Sequence, residues 1–420
     1  MKKRIRIDNL GMITQDDKGR IACIDMAHSE VKKYEVLSMC AVKNKLSQRK
    51  DLDLFVFPNG TLDADIDVCI DWNVNCLTRP LRHYYGIEPY CDLSCSFCGP
   101  RKLRFDNYRR HSEYETFLLR EIAASGAFQV QLTGGEIFLR AERLFDTIEY
   151  CRELGLGVLL ATNGLWSRIK DKKSFAKNLS YFDNIIEVKV SIDGNEPFHD
   201  QVRRLNGSYR AAVDTVRHLT EYGLPTRINT TIFKDSCEIG FIEHVANIAK
   251  TYGASLQAIP ERACGRSLGR DVFELPSKEK LRIYSQRAKE LRDELQIPIS
   301  FNFDILGGGR ILPNYDRERP FSCGAGLWGF AITHEREIYP CGFSIESGGE
   351  KRFLVGKVEK QGDMLDIWLN SPVLHEWRQA EKCFQCRMCN HYKKECWGGC
   401  KVQAFMINGS LSAPDPYCFA

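Results

Sequence analysis

Between about residues 84 and 290, short apolar or β-branched runs alternate with longer stretches in which apolar positions recur at helical spacing. The short runs are Tyr84–Glu88, Gln129–Leu132, Gly157–Ala161, Ile186–Val190, Thr226–Ile232 and Leu256–Ile259. Each ends in a polar or glycine-containing turn, which is the pattern of a β-strand. After Ser208, the residues Tyr209, Ala212, Val213, Val216 and Leu219 trace one helix face. Ser208 suits its N-cap and Gly223 its stop. Phe241–Tyr252 reads as a second helix, stopped by Gly253, and Leu144, Phe145, Ile148 and Cys151 as the stripe of a third. Cys151 is thereby expected to be a packed core thiol. Six strand–helix units in a row predict an α/β fold with a parallel sheet, open or curled into a barrel. In both cases the loops at the C-terminal strand ends carry the chemistry.

Residues 1–80 lack this rhythm. They read as short strands, Arg4–Ile7, Ile21–Ile24 and Leu54–Phe57, around a basic segment, Lys43–Lys50, and are expected to form a small separate domain. Residues 81–295 hold the strand–helix units. Residues 296–420 hold most of the clustered cysteines and few periodic stretches, so metal ligation rather than a large core is expected to hold them together.

Charge narrows the functional classes only slightly. The 420 residues include 59 basic and 55 acidic side chains, with no basic arm for nucleic acid and no acidic tail. No apolar run approaches the roughly 20 residues of a membrane span. Charged residues soon follow Met1-Lys2-Lys3-Arg4, unlike a signal peptide, so a cytoplasmic protein is expected.

Cysteine changes the picture. The chain has 18, too many for an ordinary cytosolic enzyme, and in a reducing compartment clustered cysteines point to metal ligation. Cys91-Asp-Leu-Ser-Cys95-Ser-Phe-Cys98 directly follows the first strand. Three thiolates on a four-iron cluster leave one iron open for a substrate or cofactor. The alternative is a zinc knuckle completed by His83 or His111.

The Cys-x3-Cys-x-aromatic-Cys pattern after the first strand of a βα series resembles the radical S-adenosylmethionine (SAM) superfamily, over roughly residues 84–290. The resemblance implies a partial (β/α)6 TIM-like barrel. It implies that Cys91, Cys95 and Cys98 bind a [4Fe–4S] cluster whose open iron is chelated by SAM, with Phe97 near the adenine. Thr133-Gly134-Gly135-Glu136, at the second strand end, resembles the family's motif for the SAM amino group. Thr162-Asn163-Gly164, Ser191-Ile192-Asp193-Gly194 and His199-Asp200-x-x-Arg203 follow at matching positions. The resemblance implies that Ser191 and Arg203 contact SAM, Arg203 through its carboxylate, the pairing for which a guanidinium is suited. Gly265-Arg266 resembles a family step near the adenine, and an exposed basic turn is the competing reading.

The C-terminal cysteines are Cys323, Cys341, Cys383, Cys386, Cys389, Cys396, Cys400 and Cys418, enough for two four-ligand sites. The competing reading is two structural zinc sites. The region resembles the SPASM domain, which carries auxiliary iron–sulfur clusters, and Val355-Gly356-Lys357-Val358 with Leu365-Asp366-Ile367-Trp368 resembles the linker between its halves. The resemblance implies Cys386, Cys389, Cys396 and Cys418 for an outer cluster, and Cys323, Cys341 and Cys400 for an inner one. Two departures leave the set open: Cys389 and Cys396 are separated by six residues rather than five, and Cys383 is an additional thiol. Cys383 either forms the leading pair with Cys386 or completes the inner cluster.

Enzymes of this kind commonly modify ribosomally made peptides or proteins by crosslinking, thioether formation or oxidation, drawing electrons from a donor such as flavodoxin or ferredoxin. The resemblance therefore implies a peptide substrate, with residues 1–80 as a docking domain for it. Gly342 after Cys341 counts against the sulfatase-activating branch. Oxidation or epimerisation of a small molecule, and a non-catalytic metal-binding protein, are the alternative classes. No side chain stands out as a general base.

Overall fold

The computed structural model describes residues 4–8, 11–15, 21–25, 65–69, 77, 79–98, 112–267, 276–301, 324–345, 351–390, 392 and 398–418. A four-stranded sheet is built near the N-terminus from β1 (Arg4–Asp8), β2 (Gly11–Gln15), β3 (Ile21–Asp25) and β4 (Asp65–Cys69), in the order β3-β2-β1-β4. The first two are antiparallel neighbours, and β4 joins β1 in parallel. The expected strand Leu54–Phe57 lies outside the described residues.

A second sheet of ten strands forms the body. Its centre is β5 (Arg82–Glu88), β6 (Gln129–Gly134), β7 (Gly157–Thr162), β8 (Ile185–Ser191), β9 (Thr226–Ile232) and β10 (Ser255–Pro260), the six expected strands with slightly different ends. They lie side by side in chain order, all parallel, and β11 (Ile299–Phe301) extends them beyond β10. The sheet is open rather than a closed barrel. At its other edge β12 (Ala331–Thr333) pairs in parallel with β5, and β13 (Glu337–Tyr339) and β14 (Gly356–Lys357) continue antiparallel. C-terminal residues thus complete the sheet that begins at β5.

Helices α1 (Ser112–Ala124), α2 (Ala141–Glu153), α3 (Lys172–Leu179), α4 (Glu196–Arg203), α5 (Ser208–Glu221), α6 (Ile239–Tyr252) and α7 (Lys278–Leu295) fill the crossovers. Val130, Leu132, Val158, Leu160, Val188, Val190, Ile228 and Leu256 form the central apolar face, at most 1% exposed. Each such side chain contributes about 1.5–3 kcal/mol by leaving water. Alternate positions carry Gln131, Lys189 and Arg227, polar residues that bond across the other face: the Lys189 ammonium donates to Gln131 Oε1 at 2.7 Å, and Arg227 pairs with Glu187 at 2.7 Å.

The start of α5 corrects one expectation. Gly207, at φ 83°, occupies the cap position, and Ser208 is the first helical residue. The Ser208 hydroxyl instead donates to Asp200 at 2.8 Å, while the amides of Gly207 and Tyr209 donate to the same carboxylate. One aspartate therefore replaces the serine as the acceptor that ends the orphaned amides. The far end of α6 is as expected, with Gly253 in the left-handed region at φ 68°. Cys151 is fully buried on α2, and burial pushes its thiol well above the usual range.

Beyond the sheet come α8 (Gly342–Ile345), α9 (Asp363–Asn370), α10 (Pro372–Gln379), α11 (Phe384–Arg387) and α12 (Lys401–Asn408). Trp368 on α9 is fully buried and donates its indole N–H to Leu77 O at 3.1 Å. Glu121 of α1 accepts the Gly362 amide at 2.9 Å, so α9 is pinned to the first crossover helix.

Candidate functional site

The cysteine loop leaves the C-terminal end of β5. Its path is set by the Gly134-Gly135 step that ends β6. A side chain at Gly135 would put its Cβ 1.8 Å from Tyr90 O, and one at Gly134 would sit 2.1 Å from Glu88 O. Gly134 also has φ +137°, open in practice to glycine alone. The bare backbone lets the Gly135 amide donate to Glu88 O at 2.5 Å and the Glu136 amide to Tyr90 O at 2.6 Å. The two motifs found separately in the sequence are thus one packed unit.

Glu136 is 1% exposed. Its Oε1 accepts from the Phe138 amide at 3.0 Å and the Thr162 hydroxyl at 2.9 Å, and its Oε2 from the Asn163 amide at 2.7 Å. Burial pushes its carboxyl up to about 7 against the pull of these donors. Asn163 then passes the connection on: its Nδ2 donates to Asp92 Oδ1 at 2.8 Å and approaches Cys91 Sγ at 3.8 Å. Asp92 also accepts from the Ser167 hydroxyl at 2.5 Å. This aspartate inside the cysteine loop escaped sequence reasoning, because a lone acid between ligands reads as a spacer. The only usable signal was its position next to Cys91.

The other half of the loop rests on β8 and α4. Arg203 and Asp193 form a buried pair, with Nη2 at 2.6 Å and Nε at 2.8 Å from Oδ2. Asp193 Oδ1 accepts the Thr231 amide at 2.8 Å. Burial works against the Arg203 charge, but Asp193 and the Cys95 sulfur outweigh it and raise the pKa. Its Nη1 lies 4.0 Å from Cys95 Sγ, and its guanidinium lies over the Phe97 ring at 5.1 Å. Phe97 meets Phe233 edge-on at 4.9 Å. Ser191 ends β8 half-buried, in register with Asn229, whose buried Oδ1 has no hydrogen-bond partner among the described residues. His199 accepts the Asp193 amide on Nδ1 at 3.0 Å, and burial lowers its pKa to about 4, so it is a neutral positioning group.

Arg266, read from sequence as either an adenine neighbour or an exposed turn, is exposed and clamps the cysteine loop. Its amide donates to Cys98 O at 3.2 Å and its Nη1 to Cys95 O at 2.9 Å. The loop's carbonyls are thereby used by protein donors. The leucine amide at position 93 donates to Cys91 Sγ at 3.5 Å. N–H groups aimed at sulfur, a guanidinium beside Cys95 and an orphaned acceptor at Asn229 fit thiolate ligands of a charged cluster next to a polar cofactor.

The zinc alternative loses a ligand here. His83 is fully buried, stacked on Phe330 at 4.5 Å, and bonded to Ser125 Oγ at 3.1 Å. Burial drops its pKa to about 3, the state of a satisfied core histidine. His111 lies outside the described residues. Among the described residues, no three His, Cys, Asp or Glu side chains crowd closely enough to grip a single ion.

Of the C-terminal cysteines, Cys341, Cys383, Cys386, Cys389, Cys400 and Cys418 are described and partly exposed. Cys323 and Cys396 lie outside the described residues. The free thiols of Cys383 and Cys386 are hydrogen-bonded to each other, and Cys418 is close enough to act on Cys386 electrostatically. Amides at Cys386 and Gln385 aim at Cys383 and lower its pKa, whereas burial pushes Cys386 up to about 11. Lys382, 4% exposed, donates to Leu411 O at 3.1 Å and Ala413 O at 2.7 Å and sits beside these thiols.

With this geometry in place, comparison defines the class. Residues 87–245 match the profile of the Radical SAM superfamily, so the chain is an enzyme with a radical SAM domain, of the family that binds a [4Fe–4S] cluster and SAM. Mycofactocin maturase MftC of Mycobacterium ulcerans is 25% identical over 358 residues, covering 84% of this chain and 88% of its own. PqqA peptide cyclase of Methylorubrum extorquens is 26% identical over 360 residues, covering 82% and 86%. The crystal structure of Streptococcus suis SuiB bound to precursor peptide SuiA shares the fold, with TM-score 0.70 at 18% identity, over 100% of this chain and 99% of that one.

Proposed function

We propose that this chain is a peptide-modifying radical SAM enzyme with residues 81–295 as its catalytic domain, 296–420 as an auxiliary-cluster domain and 1–80 as a docking domain for a ribosomally made peptide. The observation that carries the reading is the packing of the cysteine loop against Gly134-Gly135 at the end of β6 and Arg203 at the end of α4. The relatives' names, a maturase and a peptide cyclase, support the substrate class. The separate sheet β1–β4 supports a distinct N-terminal unit.

Cys91, Cys95 and Cys98 would hold the cluster, and Gly134, Gly135, Glu136, Ser191, Arg203 and Phe97 would receive SAM. A cluster bound there would supply the low-potential electron for SAM-dependent hydrogen-atom abstraction from the substrate. The residues do the rest. Glu136, once ionised, offers the free valence of Oε2 to an ammonium. Arg203 keeps Nη1 free of Asp193 and directs positive charge to the cysteine side of the site. Phe97 and Phe233 wall off water with apolar ring surface.

In the C-terminal region, the thiol contact between Cys383 and Cys386 favours these two as the leading pair, with Cys418 in the same site. Cys389 and Cys396 are the remaining thiols for that site, and Cys323, Cys341 and Cys400 would form the inner one. These clusters would accept the electron that a substrate radical releases, and a flavodoxin or ferredoxin would supply the SAM-bound cluster.

The test is to incubate the reconstituted enzyme, SAM and reductant with short peptides encoded beside its gene. Loss of two hydrogens from one peptide, seen by mass spectrometry together with 5′-deoxyadenosine, is the expected result. Turnover of a sugar with no change to any peptide would overturn the substrate class.

A further inference from the structure

The loop after β10 reaches both cysteine regions. Residues 261–264 are buried, although two of the side chains are charged: Glu261 is 5% exposed and Arg262 6%. Toward the SAM side, Ser267 Oγ donates to Glu261 Oε1 at 2.7 Å and to Phe97 O at 3.3 Å, next to the Arg266 clamp. Toward the C-terminal side, the Tyr417 hydroxyl donates to Glu261 O, and the Ala263 amide donates to Gln403 Oε1 at 2.8 Å. Gln403 is fully buried on α12, just after Cys400.

Arg262 is the centre of this contact. Its guanidinium lies over Tyr417 at 5.5 Å and Phe343 at 5.9 Å, and its Nη1 is 3.8 Å from Asp415 Oδ2. The same Oδ2 accepts the Cys400 amide at 2.7 Å, and Oδ1 accepts the Tyr417 amide at 2.9 Å. The Asp415 carbonyl accepts the Cys418 amide at 2.8 Å. Gly399, at φ +71°, leaves room for this carboxylate, since a Cβ there would lie 2.3 Å from Asp415 Cβ.

We infer that Arg262 and Asp415 are a pair of positioning residues that set the reduction potential of the C-terminal cluster held by Cys400. The inference rests on the auxiliary-cluster reading above. The Asp415 carboxylate accepts the Cys400 amide, so its charge is fixed beside that cysteine. Arg262 is a permanent cation, and in a buried setting the field of a single charge is weakly screened. A cation near a cluster favours the reduced, more negative state, and an anion opposes it. Removing either partner alone therefore shifts the potential in opposite directions. Removing both nearly restores it. A purely structural role predicts no such sign change.

The experiment uses the full chain with Cys91, Cys95 and Cys98 changed to alanine, so that the C-terminal clusters alone report. Iron is counted, and midpoint potentials are read by EPR-monitored redox titration for this background and for the added substitutions Arg262→Met, Arg262→Lys, Asp415→Asn and Arg262→Met with Asp415→Asn. Expected are a more negative potential for Arg262→Met, a more positive one for Asp415→Asn, and values near the background for Arg262→Lys and the double variant. Should Arg262→Met lose its iron, Asp415→Asn decides, and a more positive potential there supports the role. Shifts of the same sign, no shifts, or iron lost in Arg262→Lys as well would overturn it. A background protein that holds no iron would instead overturn the auxiliary-cluster reading itself.

Discussion

The Arg203 guanidinium lies 2.6 Å from the Asp193 carboxylate, and both are buried beneath the cysteine loop. Asp193 aims the arginine before any ligand arrives, leaving Nη1 toward Cys95. Removing one partner of a buried pair strands the other charge, at a cost of about 3–5 kcal/mol. Asp193→Asn is expected to lower the thermal midpoint clearly and to weaken SAM binding by at least about tenfold, or 1.4 kcal/mol. Differential scanning calorimetry and SAM titration on reconstituted protein check both. Unchanged midpoint and affinity would show that Arg203 is held by something other than Asp193.

Glu136 is expected to make SAM binding depend on pH. Burial raises its carboxyl from 4.5 to about 7, so the folded protein holds this proton where an unfolded chain has released it. This group's contribution to stability therefore falls as pH rises from 4.5 to about 7, and is level above that. An ammonium needs the ionised form, so SAM affinity is expected to rise through about pH 7 and then flatten. Glu136→Gln should bind SAM more weakly and lose that slope. The same slope in both proteins would assign it to another group.

Gly135→Ala should displace the cysteine loop, because its Cβ would meet Tyr90 O at 1.8 Å. The expected result is protein that loses the iron of the SAM-binding cluster, about four per chain, with circular dichroism little changed. Gly240→Ala is the control: nothing lies within 4 Å of its Cβ, and a helix gains from alanine. Full iron in Gly135→Ala would show that the loop has slack the packing does not reveal.

Cys383→Ala tests the ligand set. On the proposed pairing of Cys383 with Cys386 in the outer site, its removal is expected to cost one cluster, about four irons per chain. An undiminished iron count would return the leading pair to Cys386 and Cys389.

The six central strands were legible because each is a short run rich in apolar or β-branched residues ended by a turn. The cysteine loop, Gly134-Gly135-Glu136 and Arg203 were legible because their residue types and order are restrictive. What the sequence hid is mostly long-range. Ala331–Thr333 is three residues long, and nothing local says that it pairs with β5 from the far end of the chain. Arg262 and Asp415 lie on different elements, so their pairing exists only after folding. Asp92 and Asp200 look like solvent-facing acids until the amides and hydroxyls around them are seen. The N-cap of α5 was misplaced by one residue because glycine at a helix start gives a weaker signal than serine.

The measurement that bears most directly on the central claim is SAM cleavage by the anaerobically reconstituted protein. Iron and sulfide are counted, dithionite and SAM are added, and 5′-deoxyadenosine is measured by mass spectrometry, alongside a variant with Cys91, Cys95 and Cys98 changed to alanine. About twelve irons per chain and 5′-deoxyadenosine are expected from the wild type. The variant should keep about eight irons and form no 5′-deoxyadenosine. Zinc in place of iron, or iron-loaded wild type that leaves SAM intact, would contradict the account.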